Sequence, residues 1–259
     1  MISESFDLKN TAREIAERSK KNRKAIDQCL LLANENIEPS NAIGNNFEYT
    51  IRHRGLFTPV IDKNGKEIKP LAFNLLGVEP NNVPVLHRIL DGKNILAIGG
   101  GRSLEDLTTS SEFRPASLLN VDPYLPDENP GRNEAGYYRS TALDPTKKDF
   151  LAGLQKEGGN MFEEIWSTYS VPHYCKNPEE IAVFFQNMYE TLAPGGKLRI
   201  FPIVFYLGRG RMQPLLITGL SRALNELAKK PDIELSVLLD PEDTSLGTLE
   251  VHKLENQGS

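Results

Sequence analysis

The chain has 259 residues with 30 Lys and Arg against 35 Asp and Glu, a formal net charge of −5, which excludes a nucleic-acid coat held by bulk positive charge. At 39% hydrophobic and 25% charged residues it has the make-up of a folded globular protein, not of a disordered one. Two cysteines, Cys29 and Cys175, are too few for a disulfide framework or a Cys-x-x-Cys metal site, and no apolar run approaches the roughly 18 residues of a membrane span.

In chain order, residues 7–33 carry Leu8, Ala12, Ile15, Ser19, Ile26, Cys29, Leu30 and Ala33 mostly at spacings of three and four, which predicts one long helix with Asp7 as its N-cap. Glu14 with Arg18 and Glu17 with Lys21 stand in the favourable i,i+4 order, each pair contributing about 0.2–0.5 kcal/mol. Between Lys9 and Lys24 lie seven basic and two acidic residues, which reads either as a solvated helix face or as a basic surface for an acidic partner. Residues 47–58 and 66–71 flank Asp62-Lys63-Asn64-Gly65, a hairpin signal, and residues 85–90 predict a short helix ending at Asp91-Gly92.

From Lys93 onward the texture changes to strands alternating with amphipathic helices. Strands are expected at 94–98, 117–122, 137–141, 163–168 and 197–203, and helices at 104–109, 146–156, 178–192 and 214–229. Pro178 and Glu179-Glu180 suit a helix N-terminus, Ala193-Pro194-Gly195-Gly196 stops that helix, and residues 233–239 and 248–254 read as a terminal antiparallel pair. Such β-α repetition predicts a doubly wound α/β sheet whose ligand site lies at the carboxyl ends of its strands.

At those ends, Ile98-Gly99-Gly100-Gly101-Arg102-Ser103 makes a glycine-rich turn from strand to helix, where backbone can approach a ligand closely and free N–H groups face an anion. Alone, the same turn serves equally as a bare strand–helix connection. About twenty residues later Asn120-Val121-Asp122 ends a strand on a carboxylate, at the spacing used to grip ribose hydroxyls. No Cys/His cluster or acidic triplet marks a metal site.

The run Phe162-Glu163-Glu164-Ile165-Trp166-Ser167-Thr168-Tyr169 resembles the fourth strand of class I S-adenosylmethionine-dependent methyltransferases, and Leu192-Ala193-Pro194-Gly195-Gly196-Lys197-Leu198-Arg199-Ile200 is similar to the turn leading into their fifth. The terminal pair resembles strands six and seven of that superfamily, over roughly residues 93–254. The resemblance implies a mostly parallel seven-stranded sheet in residues 93–259; it does not extend to residues 1–92, whose long helix and hairpin read as an added element that forms a lid over the substrate or a homodimer interface. It implies S-adenosylmethionine as cofactor, held by Gly99, Gly100 and Gly101 at its methionine and ribose portion, by Asp122 at the ribose hydroxyls, by Pro123 and Tyr124 beside the adenine, and by Asp144 near the adenine amine. Thr168 and Tyr169 fall where the methyl group meets its acceptor, with His173 as the candidate base and Tyr169 as an acceptor-orienting group.

Two positions depart from the pattern: Ala97 stands where the superfamily usually has Asp or Glu, and Ser103 where it has a third glycine. The missing carboxylate removes a partner for the cofactor's amino group, about 1–3 kcal/mol. The implied activity is methyl transfer to an oxygen or nitrogen of a small molecule, or of a peptide, in the cytoplasm, without nucleic-acid or membrane partners. The competing readings are a protein of this fold that binds a cofactor or metabolite without transfer, and a nicotinamide-dependent oxidoreductase.

Overall fold

Helix α1 (Ile2–Asn34) opens the computed structural model, which describes residues 2–34, 56–57, 59–61, 65, 67–68, 70–79, 81–99, 112–123, 138–159, 161–203, 213–240 and 246–255. The expected helix thus gains a turn at its start. Its i,i+4 pairing also differs: Glu17 meets Arg13 at 3.2 Å, because Lys21 reaches across to Glu234 of the sheet at 3.7 Å. Side chains at positions 13–21 are mostly exposed, whereas Ala25, Ile26, Cys29, Leu32 and Ala33 are buried. The second half of α1 is therefore core, and burial pushes the Cys29 thiol pKa up.

The expected hairpin is present but shorter and shifted, as β1 (Val60–Ile61) against β2 (Glu67–Ile68), with Gly65 in the turn at φ +80°. Leu71, expected on the second arm, instead begins a helix missed in the sequence pattern, α2 (Leu71–Leu76). Pro70, with φ fixed at −58°, cannot continue the ladder and starts that helix. Helix α3 (Val83–Leu90) follows, with Pro at its first turn.

The parallel strands are β3 (Asn94–Ile98), β4 (Ser117–Val121), β5 (Tyr138–Thr141), β6 (Phe162–Thr168) and β7 (Leu192–Phe201). Helices α4 (Phe150–Lys156) and α5 (Pro178–Thr191) precede β6 and β7. Asn177 caps α5 by accepting the Glu180 N–H at 3.0 Å. Helix α6 (Gln213–Ala228) leads to β8 (Ile233–Leu239) and β9 (Gly247–Lys253). The expected helix over 104–109 lies outside the described residues.

One seven-stranded sheet results, in the order β5-β4-β3-β6-β7-β9-β8, parallel through β7, with β9 antiparallel to both of its neighbours. This is the doubly wound, mostly parallel α/β fold with an antiparallel closing pair that the strand pattern predicts. Strand β7 begins earlier than expected. Leu192 already pairs with Phe162, and the ladder resumes at Glu164 with Lys197, so the Pro194-Gly195-Gly196 turn sits as a bulge inside the strand with Gly195 at φ +77°. One sheet face packs on α4, α5, α6 and the second half of α1, through residues such as Phe184, Leu220 and Ile26. The other packs on α2 and α3, through Leu75, Leu86 and Trp166.

Strand β8 is an edge, and an edge exposes unpaired main-chain groups. Asn22 of α1 covers them: its amide donates to the Ile233 carbonyl at 3.1 Å and accepts the Leu235 N–H at 2.8 Å. Replacing Asn22 with Ala leaves both groups buried without these partners, so stability falls by about 2 kcal/mol, read as a lower urea midpoint, with Asn22→Asp retaining the acceptor half of the effect.

Candidate functional site

The strand order reverses between β3 and β6, and such a reversal places the ligand crevice of a doubly wound sheet at the carboxyl ends of those two strands. Both strands end there in backbone that side chains rarely adopt. Gly99 follows β3 at φ +62°, still in the ladder through its N–H to the Val121 carbonyl at 2.8 Å. Tyr169 follows β6 at φ +49°, the positive-φ residue among the described ones that is not glycine. Its N–H donates to Phe201 at 2.8 Å, and its ring meets the Phe201 ring edge-on at 5.5 Å.

The register brings the predicted residues together. Ile98 pairs with Val121 on one side and Ser167 on the other, so one step further on Gly99 stands between Asp122 and Thr168, about one strand spacing from each. Asp122 is half-buried and its N–H bonds Thr141 at 3.1 Å; Pro123 is exposed beside it, and Thr168 is 9% exposed. Gly100, Gly101, Ser103 and Tyr124 lie outside the described residues.

Asp144 also lies beyond its strand, but its carboxylate accepts the Thr146 N–H at 2.9 Å and the Thr146 hydroxyl at 2.7 Å, which closes a turn. That turn explains why α4 starts at Phe150 and not at Thr146. His173 stands in the loop after β6, where its N–H bonds the Ser170 carbonyl at 2.9 Å, and the residue is 1% exposed. Ser167 fastens the same loop through its hydroxyl to the Val171 carbonyl at 2.5 Å. The peptide bonds before Pro172 and Pro202, just beyond β6 and β7, are cis. Ala97 is 1% exposed and belongs to the core with Trp166, so the position where a carboxylate was expected faces apolar packing.

Two groups of residues escaped the sequence reading. One is Ser170, which packs onto Gly99: a β-carbon added at Gly99 would lie 2.7 Å from the Ser170 β-carbon and closer still to its hydroxyl. The other is a charged floor at the opposite, amino-terminal half of the sheet. There Arg199 of β7 bonds Glu164 of β6 and, at 3.0 Å, Glu250 of β9; Lys197 bonds Glu250 at 2.9 Å, and the Trp166 indole donates to Glu164 at 3.2 Å. The floor belongs to a cavity of about 570 Å³ with walls from Arg88, Ile89 and Glu163. The signal was a charge inside an otherwise apolar strand, in Phe162-Glu163-Glu164-Ile165 and Leu198-Arg199-Ile200.

Burial pushes the Glu164 pKa up in spite of Arg199. For Glu250, burial acts in the same direction, but Arg199 and Lys197 outweigh it and hold the carboxyl below the usual glutamate range. Among the described residues no group of three or more His, Cys, Asp or Glu is placed to hold a metal, and no helix is long and apolar enough to cross a membrane.

No protein-family model matches the chain, and no curated protein matches it in sequence. Among solved structures it is similar to the O-methyltransferase TomG of Streptomyces achromogenes in complex with S-adenosylmethionine, at 16% identity over 66% of this chain and 78% of that one, with a TM-score of 0.43. It is similar to the mycinamycin-pathway methyltransferase MycE at 15% identity over 70% and 50% of the two chains, with a TM-score of 0.47. A protein from Bordetella parapertussis described as a possible exported protein matches over 94% and 97% of the two chains, at 13% identity and a TM-score of 0.42.

The electrostatics of the floor generate a pH expectation. A carboxyl whose folded pKa is depressed stabilises the fold above its unfolded pKa and loses that contribution as pH falls. Glu250→Gln should therefore cost about 1–2 kcal/mol near pH 7, and the gap to the parent protein should close as pH falls below about 4, measured as urea midpoints at both pH values.

Proposed function

We propose that the chain is an S-adenosylmethionine-dependent methyltransferase acting on an oxygen or nitrogen of a small molecule. The observation that carries this reading is the left-handed Gly99 at the strand-order reversal, set between the Asp122 carboxylate and the end of β6 at Thr168. The fit is that of a nucleoside ligand. A turn without a side chain admits close approach, a half-buried carboxylate one strand away suits two adjacent ribose hydroxyls, and the left-handed Tyr169 faces the acceptor side.

When bound, S-adenosylmethionine supplies a methyl group on a sulfonium for in-line displacement. The chain's part is to align the acceptor and keep water out. Tyr169 is the orienting group, fixed by its N–H bond and its ring contact with Phe201. His173, expected as the base, is 1% exposed in the loop that follows Tyr169 and reaches an acceptor only if that loop opens. The N-terminal extension takes part on the acceptor side, since Leu56, Leu71 and Leu75 share a core with Tyr169 and Phe201.

A second reading is favoured by Ala97, buried in apolar packing where a carboxylate would meet the cofactor's amino group. In that reading the protein binds the nucleoside part of a ligand without transferring a methyl group. Calorimetry and thermal unfolding with S-adenosylmethionine, S-adenosylhomocysteine and NAD test which ligand binds, and conversion of S-adenosylmethionine to S-adenosylhomocysteine with an acceptor separates transfer from binding alone. Either sulfur ligand at 100 times its Kd should add about 2.7 kcal/mol of stability. Asp122→Ala should weaken binding by about 1.5–3 kcal/mol through the lost ribose contacts. No heat with either sulfur ligand at millimolar concentration overturns the proposal, and a shift with NAD alone replaces it with the oxidoreductase reading.

A further inference from the structure

Gly99 and Ser170 lie just beyond the ends of neighbouring parallel strands, and Ser170 fills the space that a side chain on Gly99 would need. At φ +62° the α-hydrogen of Gly99 that a side chain would replace faces β6, and the space in front of it is filled by the Ser170 hydroxyl and β-carbon. Neither residue can be enlarged without the other moving. Ser170 is itself held: its carbonyl accepts the His173 N–H at 2.9 Å, Ser167 anchors the next residue through the Val171 carbonyl, and Tyr169 before it is tied to Phe201. The side chain therefore projects from a braced loop and does not adapt freely.

We propose that Ser170 is a positioning residue that sets the Gly99 turn for the methionine end of the cofactor. The inference rests on the methyltransferase reading. A glycine that tolerates left-handed backbone also tolerates neighbouring conformations, so a turn built on glycine needs an external stop to hold one of them. Ser170 supplies the stop by contact. It is small enough to leave the crevice open and large enough to leave Gly99 no second position, and so it acts on binding through pre-organisation and not through a bond to the ligand. Its hydroxyl and β-carbon occupy the place that a β-carbon on Gly99 would take.

The test compares the parent protein with Ser170→Ala and Ser170→Gly, using S-adenosylhomocysteine and 5′-methylthioadenosine as probes. The first ligand has the amino-acid end beside the Gly99 turn; the second keeps adenosine and lacks that end. Expected is a graded loss of homocysteine-ligand affinity, about tenfold for Ser170→Gly and less for Ser170→Ala, with methylthioadenosine binding unchanged. A merely structural role would lower both affinities together or lower the melting temperature alone, and either result overturns the proposal, as does unchanged affinity for both ligands. Gly99→Ala with Ser170→Gly supplies a second measurement that does not depend on ligand. Removing the serine should recover part of the melting temperature that Gly99→Ala loses, and no recovery shows that the two residues do not brace one another. A parent protein that binds neither probe overturns the methyltransferase reading, and this proposal with it; normal parent binding that both variants retain overturns the positioning role alone.

Discussion

The architecture turns on one topological constraint, the reversal of strand order between β3 and β6. Parallel strands need crossovers, crossovers are right-handed, and a chain that winds outward in both directions from two adjacent strands must leave their carboxyl ends diverging. The crevice is thus a consequence of winding and is not carved by particular side chains. What the side chains decide is its shape. Gly99 and Tyr169 both turn out of the plane in left-handed backbone, while Asp122 one strand further along stays in register and directs a carboxylate to the same edge. The Tyr169 conformation costs about 1–3 kcal/mol in isolation, and the bond to Phe201 with the packing of the loop offsets it.

At the other half of the sheet the constraint is electrostatic. Arg199 is 5% exposed and would be costly as an isolated charge, so the fold surrounds it with Glu164 on the parallel neighbour and Glu250 on the antiparallel one. One guanidinium therefore joins β6, β7 and β9, across the boundary where strand direction changes. Hydrophobic burial already penalises a one-residue slip, which turns every side chain to the other face, and a two-residue slip, which keeps the face, would part Arg199 from both carboxylates. Burial raises the Glu164 pKa, whereas Arg199 and Lys197 hold that of Glu250 down.

The strands were the most legible part of the sequence. Ile95-Leu96-Ala97-Ile98 is an apolar run of strand length, residues 163–168 carry the β-prone Ile165-Trp166 and Thr168, and the structure places strands there within a residue. Short elements were legible only through their turns: the Asn64-Gly65 signal marked the hairpin but not the bounds of its two-residue strands, and α2, with six residues, is too short to show a period. The place of Asp122 just past a strand was readable from the apolar run that it closes, and β4 ends at Val121. Asp144 is less so, because its carboxylate serves a turn with Thr146, a choice made by local backbone. Ser170 carries no signal at all: its contact with Gly99 exists only once β3 and β6 lie side by side, 71 positions apart in sequence. The burial of His173 is a property of the folded loop in the same sense.

The two ends of the sheet divide the work. From Glu164 to Thr168 along β6 is four residues, about 13 Å of extended chain, beyond the range over which substitutions usually couple. Changes on the charged floor and changes around Gly99 should therefore add, with little cross-talk between them. The N-terminal extension reaches both faces of the sheet. The second half of α1 buries Ile26 and Cys29 in one core, while Leu71 and Leu75 of α2 enter the other together with Phe201. A segment that contributes to both cores cannot change its sheet-facing positions without cost to the fold. That leaves variation to the positions that face out of α2 and the hairpin, such as Ile61, Glu67 and Phe73, and not to those that face the sheet.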